Sequence, residues 1–228
     1  MTAHPQTAST PSPRRHWLLT TPAVGGIGFV AAWVIGLAVW PSNLDVAATG
    51  SHVLSAYGGH QGVAVTQYIL VEGLAAVALA LVVIALGQAA GQHHAEGLGR
   101  LAVIAGCGAV LVSLAECALG LVLTSVAVPD GESGRAGTLF HIINRLDGVK
   151  MLAFAVMALA GVGLARRGVL PRWLGYVAAA LAVAMIVSGV GYLLLNNPVA
   201  QAAAASLLLL LIWVAATGVT LGRRTPAS

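Results

Sequence analysis

The chain alternates between long apolar runs and short polar connections, and six such runs recur, at about 23–40, 63–87, 101–126, 143–165, 173–195 and 200–221. Each is long enough to cross a hydrocarbon layer of roughly 30 Å as a helix rising about 1.5 Å per residue. No water in that layer serves the backbone N–H and C=O groups, so each run satisfies its own hydrogen bonds by coiling. The pattern predicts an all-α fold, a six-helix transmembrane bundle over residues 17–222. Residues 1–16 (MTAHPQTASTPSPRRH) show no apolar periodicity and many Pro, Ser and Thr, which predicts a disordered tail. Residues 223–228 form a second, short tail.

Composition agrees with the pattern: 58% hydrophobic residues, 8% charged residues and a mean hydropathy of +0.91 lie outside the range of soluble domains. Charge then orients the bundle. Arg14, Arg15, Arg100, Arg166, Arg167, Arg172, Arg223 and Arg224 fall in the connections that share a side with both termini, and Arg135 falls opposite. Short loops rich in arginine stay in the cytoplasm, so both termini are expected there, in a multi-pass protein of the inner (plasma) membrane. The net charge of +4 is dispersed over these loops. It therefore fits anionic lipid headgroups, and the bilayer is the expected partner; nucleic acid is not. Trp17, Trp40 and Trp173 stand at span ends, where amphipathic rings prefer the interface, whereas Trp33 and Trp213 lie deeper and are expected to pack.

Against this background five ionisable residues stand out inside the spans: Glu72, Glu116, Arg145, Asp147 and Lys150. A charge near the bilayer centre costs on the order of 3 kcal/mol, so it persists only where a partner, a water cavity or a task offsets that cost. Counted from the span ends opposite the termini, Glu72 is about nine residues deep, Glu116 about ten and Lys150 about seven, or roughly 10 to 15 Å. Three helices thus bring charge to one level. The fourth span opens on the most polar stretch of the chain, His141 to Lys150. At about 100° per residue, Asp147 and Lys150 lie close enough to pair along it, while His141, Asn144 and Arg145 fall mostly on another side. Three acids against two bases leave one negative charge over, so one acid is expected to hold a proton. Asp147 neighbours Lys150, which points to Glu72 or Glu116.

Other polar residues extend the candidate site. Tyr68 lies one turn from Glu72, and Tyr192 shares a face with Ser188; both are candidates for ligand or proton contacts. Ser113, Ser188, Gly120 and Gly148 read as ordinary contacts between membrane helices. The connection 41–62 is long and carries His52 and His60, which with His141 would form a histidine-bearing lid over the bundle; no HxxxH spacing supports a metal, and none is expected. Haem needs histidines well inside the spans, and no such pair is present. Cys107 and Cys117 are ten positions apart on one helix, about 15 Å along its axis, and cannot bridge each other. Phosphate-binding loops, HExxH, GxSxG and CxxC are all lacking, and no cofactor is expected.

The stretch LARRGVLPRWLGYVAAALAVAMIVSGVGYLL (Leu164–Leu194) resembles a helix pair that recurs in bacterial multi-pass membrane proteins of uncharacterised function. The resemblance covers about a seventh of the chain. It implies a bacterial inner-membrane protein and no particular reaction.

Three functions are compatible with these residues. A small channel or proton-coupled carrier would exchange a proton at Glu72 or Glu116 and hold an anionic solute at Arg145 or Lys150. An intramembrane enzyme on a lipophilic substrate would use a protonated Glu as general acid. A noncatalytic accessory or sensor protein would use the ion pairs to hold its helices together.

Overall fold

The structure, a computed structural model, describes residues 21–40 and 44–224. The tail 1–16, Trp17 and the last residues, 225–228, lie outside the described residues, and Arg14 and Arg15 with them. The remainder is all-helical, with no strand among the described residues, and six of its helices are long and apolar enough to cross a membrane.

The spanning helices are α1 (Thr21–Val39), α3 (Gln61–Gln92), α4 (Glu96–Ala127), α5 (Ser133–Arg166), α6 (Arg172–Leu193) and α7 (Asn197–Arg224). A short helix, α2 (Gly50–Tyr57), lies in the connection between α1 and α3. Thr49 caps it, its hydroxyl accepting from the His52 N–H at 3.4 Å. Several spans outrun their apolar cores. Ser133–Arg166 begins ten residues before the expected 143, because polar but helix-compatible residues continue the coil beyond the bilayer.

Six crossings return the chain to the face on which α1 begins. We call this the proximal face, and the opposite one, carrying α2, the distal face. Each spanning helix packs on the next in the sequence, and α7 packs back on α1, so the bundle is a closed ring. Small residues make the seams close. A Cβ on Gly148 would stand 2.8 Å from the Gly189 carbonyl oxygen, and one on Gly189 would stand 3.1 Å from that of Gly148. The α5–α6 backbones therefore touch directly, as small residues permit between membrane helices. The ring's outer surface is apolar: Ile104 is 70% exposed, Leu111 67% and Val183 65%. Water would penalise such a surface by roughly 25 cal/mol per Å², whereas lipid does not. The fold is that of a multi-pass membrane protein.

The distal face carries a second apolar core. Val53 and Tyr57 of α2 are buried with Ala64, Leu123, Ala127, Ala136 and Phe140. The α2 backbone lies so close to α5 that a Cβ on Gly50 would stand 1.7 Å from the Ser133 carbonyl oxygen. His141 adds a tie, its Nε2 lying 3.0 Å from the Ala48 carbonyl oxygen.

Candidate functional site

The site begins with an irregularity in α3. Over Ile69–Leu74 the helix is π-helical: the Ala75 N–H donates to the Leu70 carbonyl, five residues back. A π-turn carries one residue more than an α-turn and is frequent where a side chain is held for a task. Here two consecutive residues, Val71 and Glu72, are both buried. Val71 packs against Gly36 of α1, leaving Glu72 to turn toward α4 and α5.

There Glu72 meets Lys150. The ammonium donates to Glu72 Oε2 at 2.7 Å, to Asp147 Oδ1 at 2.9 Å and, in the closest contact of the group, to Glu116 Oε2. Ser113, one turn from Glu116 on α4, donates to the same Glu72 Oε2 at 2.8 Å. Lys150 is 3% exposed and Glu116 1%, so these contacts form away from solvent. Asp147 is the most open member, its side chain 26% exposed. Glu116 Oε1 is buried with no hydrogen-bond partner among the described residues.

The structure thus brings together four of the five ionisable residues singled out in the sequence, and not the fifth. Arg145 is exposed and is not joined to the group. The charge excess consequently changes. Three carboxylates surround one ammonium, so full ionisation leaves two negative charges over, not one. Lys150 also touches both glutamates and the aspartate, so proximity to the cation does not single out an acid as the sequence argument did.

Ser113, read from the sequence as packing, is a hydrogen-bond donor to the site. Its only sequence signal was its position three residues before Glu116, one helical turn away. Ser188 does what was expected of it, bonding to the Ala184 carbonyl at 2.8 Å and lying 3.2 Å from the Ser206 hydroxyl of α7. Asn144 donates to the Phe140 carbonyl at 2.8 Å, a local bond that satisfies its own helix. Tyr192 is within electrostatic range of Asp147, Lys150 and Glu116. Among the described residues His52, His60 and His141 form no cluster with metal-ligand spacing: His60 Nδ1 lies 3.1 Å from the Gly58 carbonyl oxygen, and His141 Nε2 is engaged with Ala48. Cys107 and Cys117 are both free thiols.

Above the cluster on the distal side sits an aromatic plug. Tyr68 packs its ring on Gly120, where a Cβ would stand 2.3 Å from the ring. Its hydroxyl lies 3.2 Å from that of Tyr57 in the lid, and Trp40 meets the Tyr57 ring edge-on at a centroid distance of 4.6 Å. Gln67 completes the closure by donating to the Trp40 carbonyl at 2.9 Å.

Chemically, Glu72, Glu116 and Asp147 each offer an oxygen within 4.8 Å of the others, a spacing that suits a single cation. The Lys150 ammonium takes that place. Fold and site together define an α-helical multi-pass membrane protein with a buried lysine–carboxylate cluster. Comparison with family models, with curated proteins and with solved structures returns no match.

Proposed function

We propose that the protein is a small proton-coupled carrier or channel of the inner membrane, with both termini in the cytoplasm, and that the Lys150 cluster is its proton-exchange site. One observation carries this reading: three acids converge on a single ammonium inside the bundle, and Glu116 keeps one oxygen without a partner. Two surplus negative charges in a dry interior are too unfavourable to stand, so the cluster takes up protons. The unpartnered Oε1 makes Glu116 the acid that gains and loses one. Asp147, the most open member of the cluster, is the one through which that exchange would run.

The cluster also changes the expected cargo. Lys150 is engaged by three carboxylates and Arg145 stands apart, so neither offers a place to an anionic solute; the site favours a cation, the proton first. The test is proton flux into proteoliposomes loaded with a pH-sensitive dye, driven by a potassium diffusion potential. Flux above that of empty liposomes, abolished by Glu116→Gln, is the expected result. Flux equal to that of empty liposomes at every pH between about 5 and 8 overturns the reading.

A second reading draws on the same contacts. Because Lys150 reaches carboxylates on α3, α4 and its own helix, it also fixes the order of three neighbouring helices, as a structural ion-pair lattice in an accessory or sensor protein would. Under it, Glu116→Gln leaves any activity unchanged and alters only stability.

A further inference from the structure

We infer that the proximal face holds a binding site for the phosphodiester headgroup of an anionic phospholipid, in a cavity of about 440 Å³ between the start of α6 and the last turns of α7. Its size falls in the range of small-molecule sites. Its lining is divided. Pro171, Ala216, Val219 and the ring of Trp173 form an apolar wall, while Thr220, Arg223 and Arg224 bring a hydroxyl and two guanidinium groups, with no carboxylate among the described lining residues.

The positive end is built into the fold. Arg224 Nη1 donates to the Val169 carbonyl at 2.7 Å and to that of Gly168 at 3.4 Å, which fixes the guanidinium at the rim of the α5–α6 turn. A guanidinium carries five N–H donors and keeps its charge, so an anchored arginine still presents donors to an anion. The first turn of α6 has no side-chain cap, and its backbone N–H dipoles add positive potential on the same side. Trp173 is 50% exposed at the end of its span, the position of a ring that lies among headgroups.

The apolar wall decides between two sources of phosphate. Free phosphate would use the guanidinium groups and leave Pro171, Ala216, Val219 and Trp173 facing a hydrated ion. A phospholipid places its phosphodiester on the arginines and its glycerol and first methylenes along that wall. Basic pockets between membrane helices recognise anionic lipids in this way.

The experiment is native mass spectrometry of the full chain released from micelles containing phosphatidylglycerol and phosphatidylcholine in equal amounts. Wild type is expected to retain one phosphatidylglycerol in preference to phosphatidylcholine. Arg223→Gln is expected to lower the retained fraction about fivefold, the loss of roughly one arginine–headgroup contact. Thr220→Val lowers it further in combination, and Arg100→Gln, on the same face but outside the cavity, leaves it unchanged. Trp173→Ala provides an independent variant should Arg223→Gln not fold. Equal retention of both lipids, or retention unaffected by Arg223→Gln and Trp173→Ala alike, overturns the assignment. So does displacement of the lipid by millimolar inorganic phosphate, which would assign the cavity to a free anion. None of these readouts depends on proton flux.

Discussion

The hydroxyls of Tyr57 and Tyr68 lie 3.2 Å apart, and this hydrogen bond joins the distal lid to the helix that carries Glu72. Tyr57 is 3% exposed, and burial raises the pKa of its phenol above the ordinary value of 10.0, an effect only partly offset by the bond to Tyr68. The sign of the consequence follows from linkage. Above pH 10 an unfolded chain releases this proton and the native lid keeps it, so stability is full below about pH 10 and falls as pH rises beyond it. The slope is at most about 1.4 kcal/mol per pH unit for one phenol. Thermal unfolding in nanodiscs between pH 7 and 11 will show it, and Tyr57→Phe will flatten the alkaline limb.

Replacing Glu116 by Gln keeps size and hydrogen-bonding capacity while removing the titration. Infrared difference spectra of the wild type are expected to show a carboxyl band changing with pH, and E116Q to lose it with the fold intact. Retention of the band in E116Q would move the proton to Glu72 or Asp147.

Lys150→Met leaves three carboxylates, two of them buried, without their cation. Breaking a buried ion pair from one side destabilises by about 3–5 kcal/mol, so this variant is expected to unfold at lower temperature or fail to accumulate. Neutralising all three acids in the same chain, with Glu72→Gln, Glu116→Gln and Asp147→Asn, should restore folding, because the desolvated charge has gone. A Lys150→Met protein as stable as wild type would show that the acids already carry protons.

Ser113→Ala removes the second donor to Glu72 Oε2 and is expected to lower stability by about 1–2 kcal/mol, the range of polar contacts between membrane helices. Ser188→Ala provides the comparison, because its hydroxyl stays with its own backbone and with Ser206. Unfolding in denaturing detergent measures both.

The lid offers a steric test. A methyl group on Gly50 would stand 1.7 Å from the Ser133 carbonyl oxygen, a distance that no side-chain rotation relieves because both partners are backbone. Gly50→Ala is therefore expected to displace α2 from α5 and to increase labelling of Tyr57 by a water-soluble tyrosine reagent. Gly62→Ala, with open space around its position, should change neither.

The spans were legible because lipid demands long apolar runs, a signal that no local propensity overrides. The shared depth of Glu72, Glu116 and Lys150 was legible too, since helical rise converts sequence position into height. Height does not give direction around the axis. Whether Arg145 or Asp147 faces a neighbour depends on how α5 is rotated against α4 and α6, which the Gly148–Gly189 contact sets and the charges do not. The partner of Ser113 was hidden for the same reason. Helix α2 left a trace in Thr49, a capping residue, and in Gly58-Gly59 after Tyr57, but a signal of eight residues is faint in a long connection. The π-turn left only Gly73 inside an otherwise helical run.

That π-turn has a consequence for how the chain tolerates change. An additional residue in one turn sets everything on its distal side about 100° out of phase with everything on its proximal side, relative to an unbroken α-helix. Deleting a single residue between 69 and 74 would let the ladder close as an ordinary α-helix and rotate Tyr68 away from Gly120, although no contact of the lid itself had been touched. Inserting a residue elsewhere in α3 would impose the opposite rotation. Apart from Glu72, length rather than chemistry is therefore the property of this segment under the tightest constraint: conservative substitutions at Ile69 or Leu70 will pass where the loss of either one will not.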